Sequence, residues 1–165
     1  MAGSNTPGVL VIGVGNDMLG DDAVGLIVAR RLRMKLSGEA VIVEEDGDGA
    51  RLLERWKGFN ETILVDAVRS GAEPGQIHRF EANKSQLPTG IFQCSTHAFS
   101  IPEAIELARA MNQLPSKLII FGIEGKCFDQ GEGTSPTVEH AARKLVKLLA
   151  LEILQHRPLI TWPPW

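Results

Sequence analysis

The six residues Val9 to Val14 (VLVIGV) restrict the fold more than any other segment. A continuous β-branched apolar run ending near glycine suits a strand covered on both faces, and such strands belong to parallel sheets with helices on either side. The period then lengthens. Val24, Ile27, Val28, Leu32 and Leu36 recur at helical spacing from Ala23 onward, while Arg30, Arg31, Arg33 and Lys35 supply a solvated face and a cationic C-terminal end. Ala40 to Glu44 (AVIVE) reads as a second strand, Gly49 to Trp56 as a short helix, and Thr62 to Asp66 (TILVD) as a third, buried strand. After the turn Gly71 to Gly75, the segment Gln76 to Phe80 suits a more exposed edge strand. Ser100 and Glu103 at capping-box spacing, with Pro102 between them, open a helix that directs Ile101, Ala104, Ile105, Ala108 and Met111 inward. Lys117 to Ile123 (KLIIFGI) is another buried strand. A long final helix follows, marked by Val138, Ala141, Ala142, Leu145, Leu148, Leu149 and Ile153.

Parallel neighbours require crossovers, so this order predicts an α/β fold: a twisted, mostly parallel central sheet of about five strands with helices on both faces. A chain of 165 residues with 44% hydrophobic and 22% charged residues fits a single domain spanning 1–165 with its own core, and disordered or collagen-like classes fall away. Residues 1–7 are expected to be a short flexible N-terminus. Residues 157–165 form an irregular tail whose TWPPW end is expected to pack on the body. The net charge of −3 does not favour a phosphate-backbone partner, so no nucleic acid is expected. Cys94 and Cys127 form no CxxC pair and are too few for a secreted disulfide scaffold. No segment has the pattern of a signal peptide or the length of a bilayer span, so a cytoplasmic protein without a membrane partner is predicted.

The first chemical candidate is GVGNDMLGDDAVG, Gly13 to Gly25, directly after the first strand. Gly13 and Gly15 suggest a dinucleotide turn, but the third glycine of that fingerprint would fall at Met18, and no phosphate-binding lysine follows. A loop carrying Asn16, Asp17, Asp21 and Asp22 repels pyrophosphate and attracts a cation. The plainer reading makes Asp21 and Asp22 caps of the first helix. Asp66 alters the balance, because a buried parallel strand delivers it to the carboxyl edge of the sheet, where open α/β sheets bind ligands. The first strand brings Asp22 toward the same edge, and His97, immediately before a helix, is a candidate for the same rim. Two adjacent carboxylates resist joint ionisation unless a cation lies between them. Carboxylate oxygen with imidazole nitrogen is compatible with zinc, nickel, cobalt or manganese. A nucleophile among Cys94, Ser95 and Thr96 beside His97 is the weaker alternative, since catalytic partners usually meet from separate segments. His78, His140 and His156 are expected to be solvated, and Glu124 is a rim residue with either a structural or a substrate-facing role.

GVGNDMLGDDAVG, ILVDAVRSGAEPG, STHAFSIPEAIELA and IIFGIEG, in this order, resemble the maturation endopeptidases that process the large subunit of NiFe hydrogenases. The resemblance runs from about Val9 into the final helix. It implies a cytoplasmic endopeptidase that removes a short C-terminal extension from the large-subunit precursor once nickel has been inserted. It also implies that Asp22, Asp66 and His97 contact metal and act in catalysis, the nickel being carried by the precursor rather than held permanently. Gly13, Gly15 and Asn16 are expected to approach and hydrogen-bond the substrate peptide. Two departures stand out: Ala23 replaces the glycine of many relatives, and EEDGDGAR replaces their DGG wording. The family's acid in that segment is therefore open among Glu44, Glu45, Asp46 and Asp48. Water would be activated by a carboxylate or by the metal. The alternative function is a non-enzymatic nickel-handling or hydrogenase-binding module on the same scaffold.

Overall fold

In the computed structural model, which describes residues 8–92 and 97–155, the apolar run Val9–Val14 forms β1. A 3-10 turn (Gly20–Ala23) leads into α1 (Val24–Lys35). Next come β2 (Val41–Glu45), α2 (Gly49–Arg55) and β3 (Glu61–Val68). The chain continues through β4 (Ile77–Glu81), α3 (Ile101–Ala110), β5 (Lys117–Glu124) and α4 (Pro136–Gln155). The strands form one five-stranded sheet in the order β2-β1-β3-β5-β4. All pairs are parallel except β4 with β5, which is antiparallel and leaves β4 at the edge, as the mixed character of Gln76 to Phe80 suggested.

Side-chain alternation along the strands divides the core in two. Val11, Ile63, Val65, Ile119 and Phe121 pack under α1 and α4. Leu10, Ile12, Leu64, Leu118 and Ile120 pack under α2 and α3. Because both faces of β1, β3 and β5 are covered, these strands read as unbroken apolar runs. Each fully buried Leu or Ile contributes about 1.5–3 kcal/mol through the area removed from water.

Local signals explain the helix starts. Ser100 and Glu103 form the capping box at α3, the Ser100 amide donating to the Glu103 carboxylate at 3.0 Å. Asp48 caps α2 by accepting from the Ala50 amide at 2.9 Å. Met111, expected inward, follows the last turn of α3 and is exposed, because the helix ends at Ala110 and Asn112 turns into the left-handed region with φ of 55°. The tail 157–165, His156 and the Cys94, Ser95, Thr96 group lie outside the described residues. Among the described residues no helix is long and apolar enough to cross a membrane.

Candidate active site

From β1 the chain proceeds to β2 on one side and then returns through α2 to β3 on the other, so the topological switch point lies between β1 and β3. Ligands of open α/β sheets bind beyond the carboxyl ends of the strands at such a point. The ladder between β1 and β3 stops at Gly13 opposite Val65, whereas β3 and β5 stay paired through Val68 and Glu124. Asp66 is thus one residue beyond the last β1 pair. It is not the end of its strand, as the sequence suggested, but an interior residue of β3 exposed to the gap that β1 leaves.

Asp22 reaches the gap from the turn after β1. Gly15 donates its amide to the Glu45 carbonyl, prolonging the alignment with β2 by one residue. Asn16 then closes a tight turn, its side-chain oxygen accepting from the Met18 amide at 2.9 Å, and Gly20–Ala23 forms the 3-10 turn that carries Asp21 and Asp22. Gly20 adopts φ of +55°, and a Cβ there would lie 2.5 Å from the Cys127 carbonyl oxygen, so both conformation and space call for glycine. The close approach at Gly13 and Gly15 serves the fold. A Cβ on Gly13 would meet the Gly25 carbonyl at 2.3 Å, and one on Gly15 the Asp22 carbonyl at 2.0 Å. Both glycines are buried, against the expectation that they face a substrate; of the three loop residues assigned to the peptide, Asn16 alone is exposed.

The two neighbouring aspartates have different surroundings. Asp21 is fully buried and accepts four hydrogen bonds: from the amides of Lys126 (2.7 Å), Cys127 (2.9 Å) and Ser135 (2.6 Å), and from the Ser135 hydroxyl (2.8 Å). It ties the loop after β1 to the loop after β5 and to the start of α4. Neither the 3-10 turn nor α1 has a side-chain cap, so helix capping is not the role of these acids. Asp22, 4% exposed, instead stands within electrostatic reach of Asp66, which is 6% exposed. Burial pushes the Asp66 pKa well above the ordinary 3.8, the Asp22 charge pushes it further, and the Ala67 amide, donating to Asp66 at 2.8 Å, opposes both.

His97 lies before α3, three residues ahead of the capping Ser100, and its Nε2 is 3.4 Å from an Asp46 carboxylate oxygen. Asp46 follows β2 directly, so β1, β2, β3 and the entrance to α3 each send one ionisable group toward the carboxyl edge. The EEDGDGAR segment is sorted by these contacts. Glu44 binds Arg30 and Arg33, buried Glu45 binds Arg55, Asp48 caps α2, and Asp46 meets the histidine. Among the described residues no three His, Cys, Asp or Glu side chains form a group that could hold a metal ion, so the structure pairs Asp22 with Asp66 and His97 with Asp46 but does not gather Asp22, Asp66 and His97 into one ligand set, as the sequence suggested.

Residues around this rim are fixed by their own partners. Glu124 at the end of β5 is buried and accepts from the Ser70 amide (2.8 Å), the Ser70 hydroxyl (2.7 Å) and the Gly71 amide (3.0 Å). Its role is structural. His78 is not simply solvated, because its Nε2 lies 3.2 Å from Glu124 and its ring stacks beside Phe80. His140 is exposed, as expected. Asp17 forms a two-pronged pair with Arg30 at 2.8 and 2.7 Å, which holds its carboxyl below the usual range and fixes the loop tip. Met18, beside it, is 59% exposed.

Residues 27–152 match the hydrogenase maturation protease family. The hydrogenase 2 maturation protease of Escherichia coli is 28% identical over 136 residues, covering 79% of this chain and 81% of that protein. Among solved structures, the NiFe hydrogenase maturation protease HycI from Thermococcus kodakarensis superposes with a TM-score of 0.69 at 25% identity, covering 92% of this chain and 95% of the other. An endopeptidase from Escherichia coli reaches a TM-score of 0.75 at 26% identity over 87% of this chain and 91% of its own.

Proposed function

The chain belongs to the hydrogenase maturation protease family, and from that premise we propose that it removes the C-terminal extension of a NiFe hydrogenase large-subunit precursor after nickel insertion. Asp22, Asp66 and His97 contact the nickel that the precursor brings, so the ion is part of the substrate. One observation carries this reading: two buried carboxylates, Asp22 and Asp66, occupy the β1/β3 switch point within each other's field. Without a cation the pair is electrostatically frustrated, and a divalent ion between the acids reverses the sign of that interaction.

This dependence makes the metal a checkpoint. A precursor lacking nickel presents nothing to reconcile the acids, binds weakly and is left uncut. Asp46 orients the His97 ring through its carboxylate, an arrangement that raises the basicity of a metal-binding imidazole. Once the cleavage point is seated, a carboxylate of the site accepts a proton from the attacking water and returns it to the departing amine; the substrate's nickel would supply polarisation of the scissile carbonyl or of the water. The cytoplasm is the compartment in which this processing takes place.

The test incubates the protein with nickel-loaded and nickel-free precursor and reads the mass of the large subunit before and after. Loss of a C-terminal peptide from the loaded form alone supports the proposal. Alanine at Asp22, Asp66 or His97 is expected to abolish that loss while the variants remain folded. Cleavage by all three single variants at the native rate refutes the site, and equal cleavage of both precursor forms refutes the checkpoint.

A further inference from the structure

Arg31 and Lys35 of α1 and Arg143, Lys144 and Lys147 of α4 line one groove of about 430 Å3 together with His140. Glu139 is shared there between Arg31 and Arg143. Elsewhere the basic residues are closely matched: Arg30 holds Asp17 and Glu44, Arg55 holds Glu45, and Lys117 holds Glu61. In the groove, no carboxylate of the described residues lies within ion-pair distance of Lys35 or Lys147. One guanidinium nitrogen of Arg31, Nη1, is buried without a hydrogen-bond partner. Glu139 offsets part of this charge, and the remaining cations favour a bound anion. The concentration is local, because the whole chain carries −3.

The groove also has a direction. It shares His140 and Lys144 with a second depression of about 610 Å3, lined at the sheet end by Glu73, Gly75, Gln76, Pro136 and Thr137. Pro136 follows Ser135, whose amide and hydroxyl hold Asp21, the neighbour of Asp22. The two depressions therefore adjoin along α4, and the start of that helix is tied through Ser135 to the turn that carries Asp22.

We propose that the basic groove between α1 and α4 docks an acidic, Asp- and Glu-bearing segment of the protein substrate, with the cations of the two helices receiving its carboxylates. The inference rests on the reading that the substrate is a protein. A chain with net negative charge repels a long phosphate backbone, whereas a short carboxylate-rich segment interacts chiefly with the local field. Docking remote from the cut supplies affinity and approach rate without taking part in the chemistry.

The experiment measures binding apart from cleavage. Kd for nickel-loaded precursor is determined by fluorescence titration for the full chain and for the double variant Lys35→Glu, Lys147→Glu, at about 50 and about 300 mM NaCl. Both lysines lie outside the acid site. The variant is expected to bind roughly tenfold more weakly at the lower salt, with the difference shrinking at the higher salt as screening grows. Fluorescent poly-L-glutamate should bind the native chain and lose that binding in the variant. Kd values within twofold at both salts, no precursor binding by the native chain, or preference for an oligodeoxythymidine over poly-L-glutamate each overturn the docking proposal. Precursor that binds with the expected salt response but keeps its C-terminal peptide leaves docking intact and overturns the proteolytic reading instead.

Discussion

Exchanging each of two adjacent aspartates for alanine should have opposite consequences. Asp21→Ala removes the acceptor of three backbone amides, those of Lys126, Cys127 and Ser135, and of the Ser135 hydroxyl. A hydrogen bond to a charged group contributes about 1.5–3 kcal/mol, and a buried donor left without a partner costs about 1–3 kcal/mol. The hydroxyl can rotate toward water and the outer amides gain some solvent, so the expected loss is about 3–6 kcal/mol. Against a total stability of about 5–15 kcal/mol, that makes the variant marginal. Asp22→Ala breaks none of these bonds and relieves a repulsion with Asp66. Its loss of stability should be smaller than that of Asp21→Ala while processing stops. Urea unfolding followed by circular dichroism measures both, with equal m-values required for the comparison. Ser135→Ala, which deletes only the hydroxyl, should cost about 1 kcal/mol and provides a reading if Asp21→Ala does not fold. An Asp21→Ala midpoint indistinguishable from the native one would refute the assignment of Asp21 to the fold.

Other substitutions test other parts of the structure. Asp66→Asn should stabilise the protein and abolish processing. Since the folded pKa of Asp66 is raised above 3.8, the native protein binds the proton more tightly than its unfolded chain and loses stability as pH rises from that value toward the folded pKa. The advantage of the asparagine variant in Tm should therefore grow with pH across that window and then level off; an advantage confined to acid would be the wrong sign. Gly25→Ala would place a Cβ 2.1 Å from the Val14 carbonyl and 2.3 Å from that of Val65, both backbone atoms, and should destabilise by about 1–3 kcal/mol or more in the same urea assay. Asp48→Ala removes the α2 cap and should cost about 1 kcal/mol without changing the cleavage product seen by mass spectrometry.

The strands and helices were legible because the periodicity of burial is written into the chain, and the capping box at Ser100 and Glu103 even marked the first turn of α3. Positions that depend on two elements meeting were harder to read. Asp66 was correctly assigned to the carboxyl side of the sheet, yet its place at the gap arises from the β1 ladder stopping at Val65 while pairing with β5 runs on through Val68, which only the register reveals. Asp21 and Asp22 are chemically identical neighbours, and no local signal separates them; the division is made by amides more than a hundred residues downstream. Gly13 and Gly15 were recognised as sites of close approach, but what approaches them is α1 and the Asp22 backbone. Glu44, Glu45, Asp46 and Asp48 stayed ambiguous because their partners, on α1, on α2 and before α3, are set by how those elements pack beside β2. Arg31 and Lys35 looked like an ordinary solvated face until α4 brought three further cations alongside.

The attachment of Asp21 to Ser135 also bears on the order in which the protein is made. Asp22 and Asp66 are both synthesised in the first half of the chain, but the loop bearing Asp22 is completed only when residues 126, 127 and 135 have arrived. A nascent or truncated chain ending before Lys126 thus contains both acids without the attachments that hold the turn bearing one of them, and one ending before Ser135 lacks the last of these attachments. The ability to cut is tied to the finished molecule, and an incomplete copy released early has no firmly built means of attacking another protein.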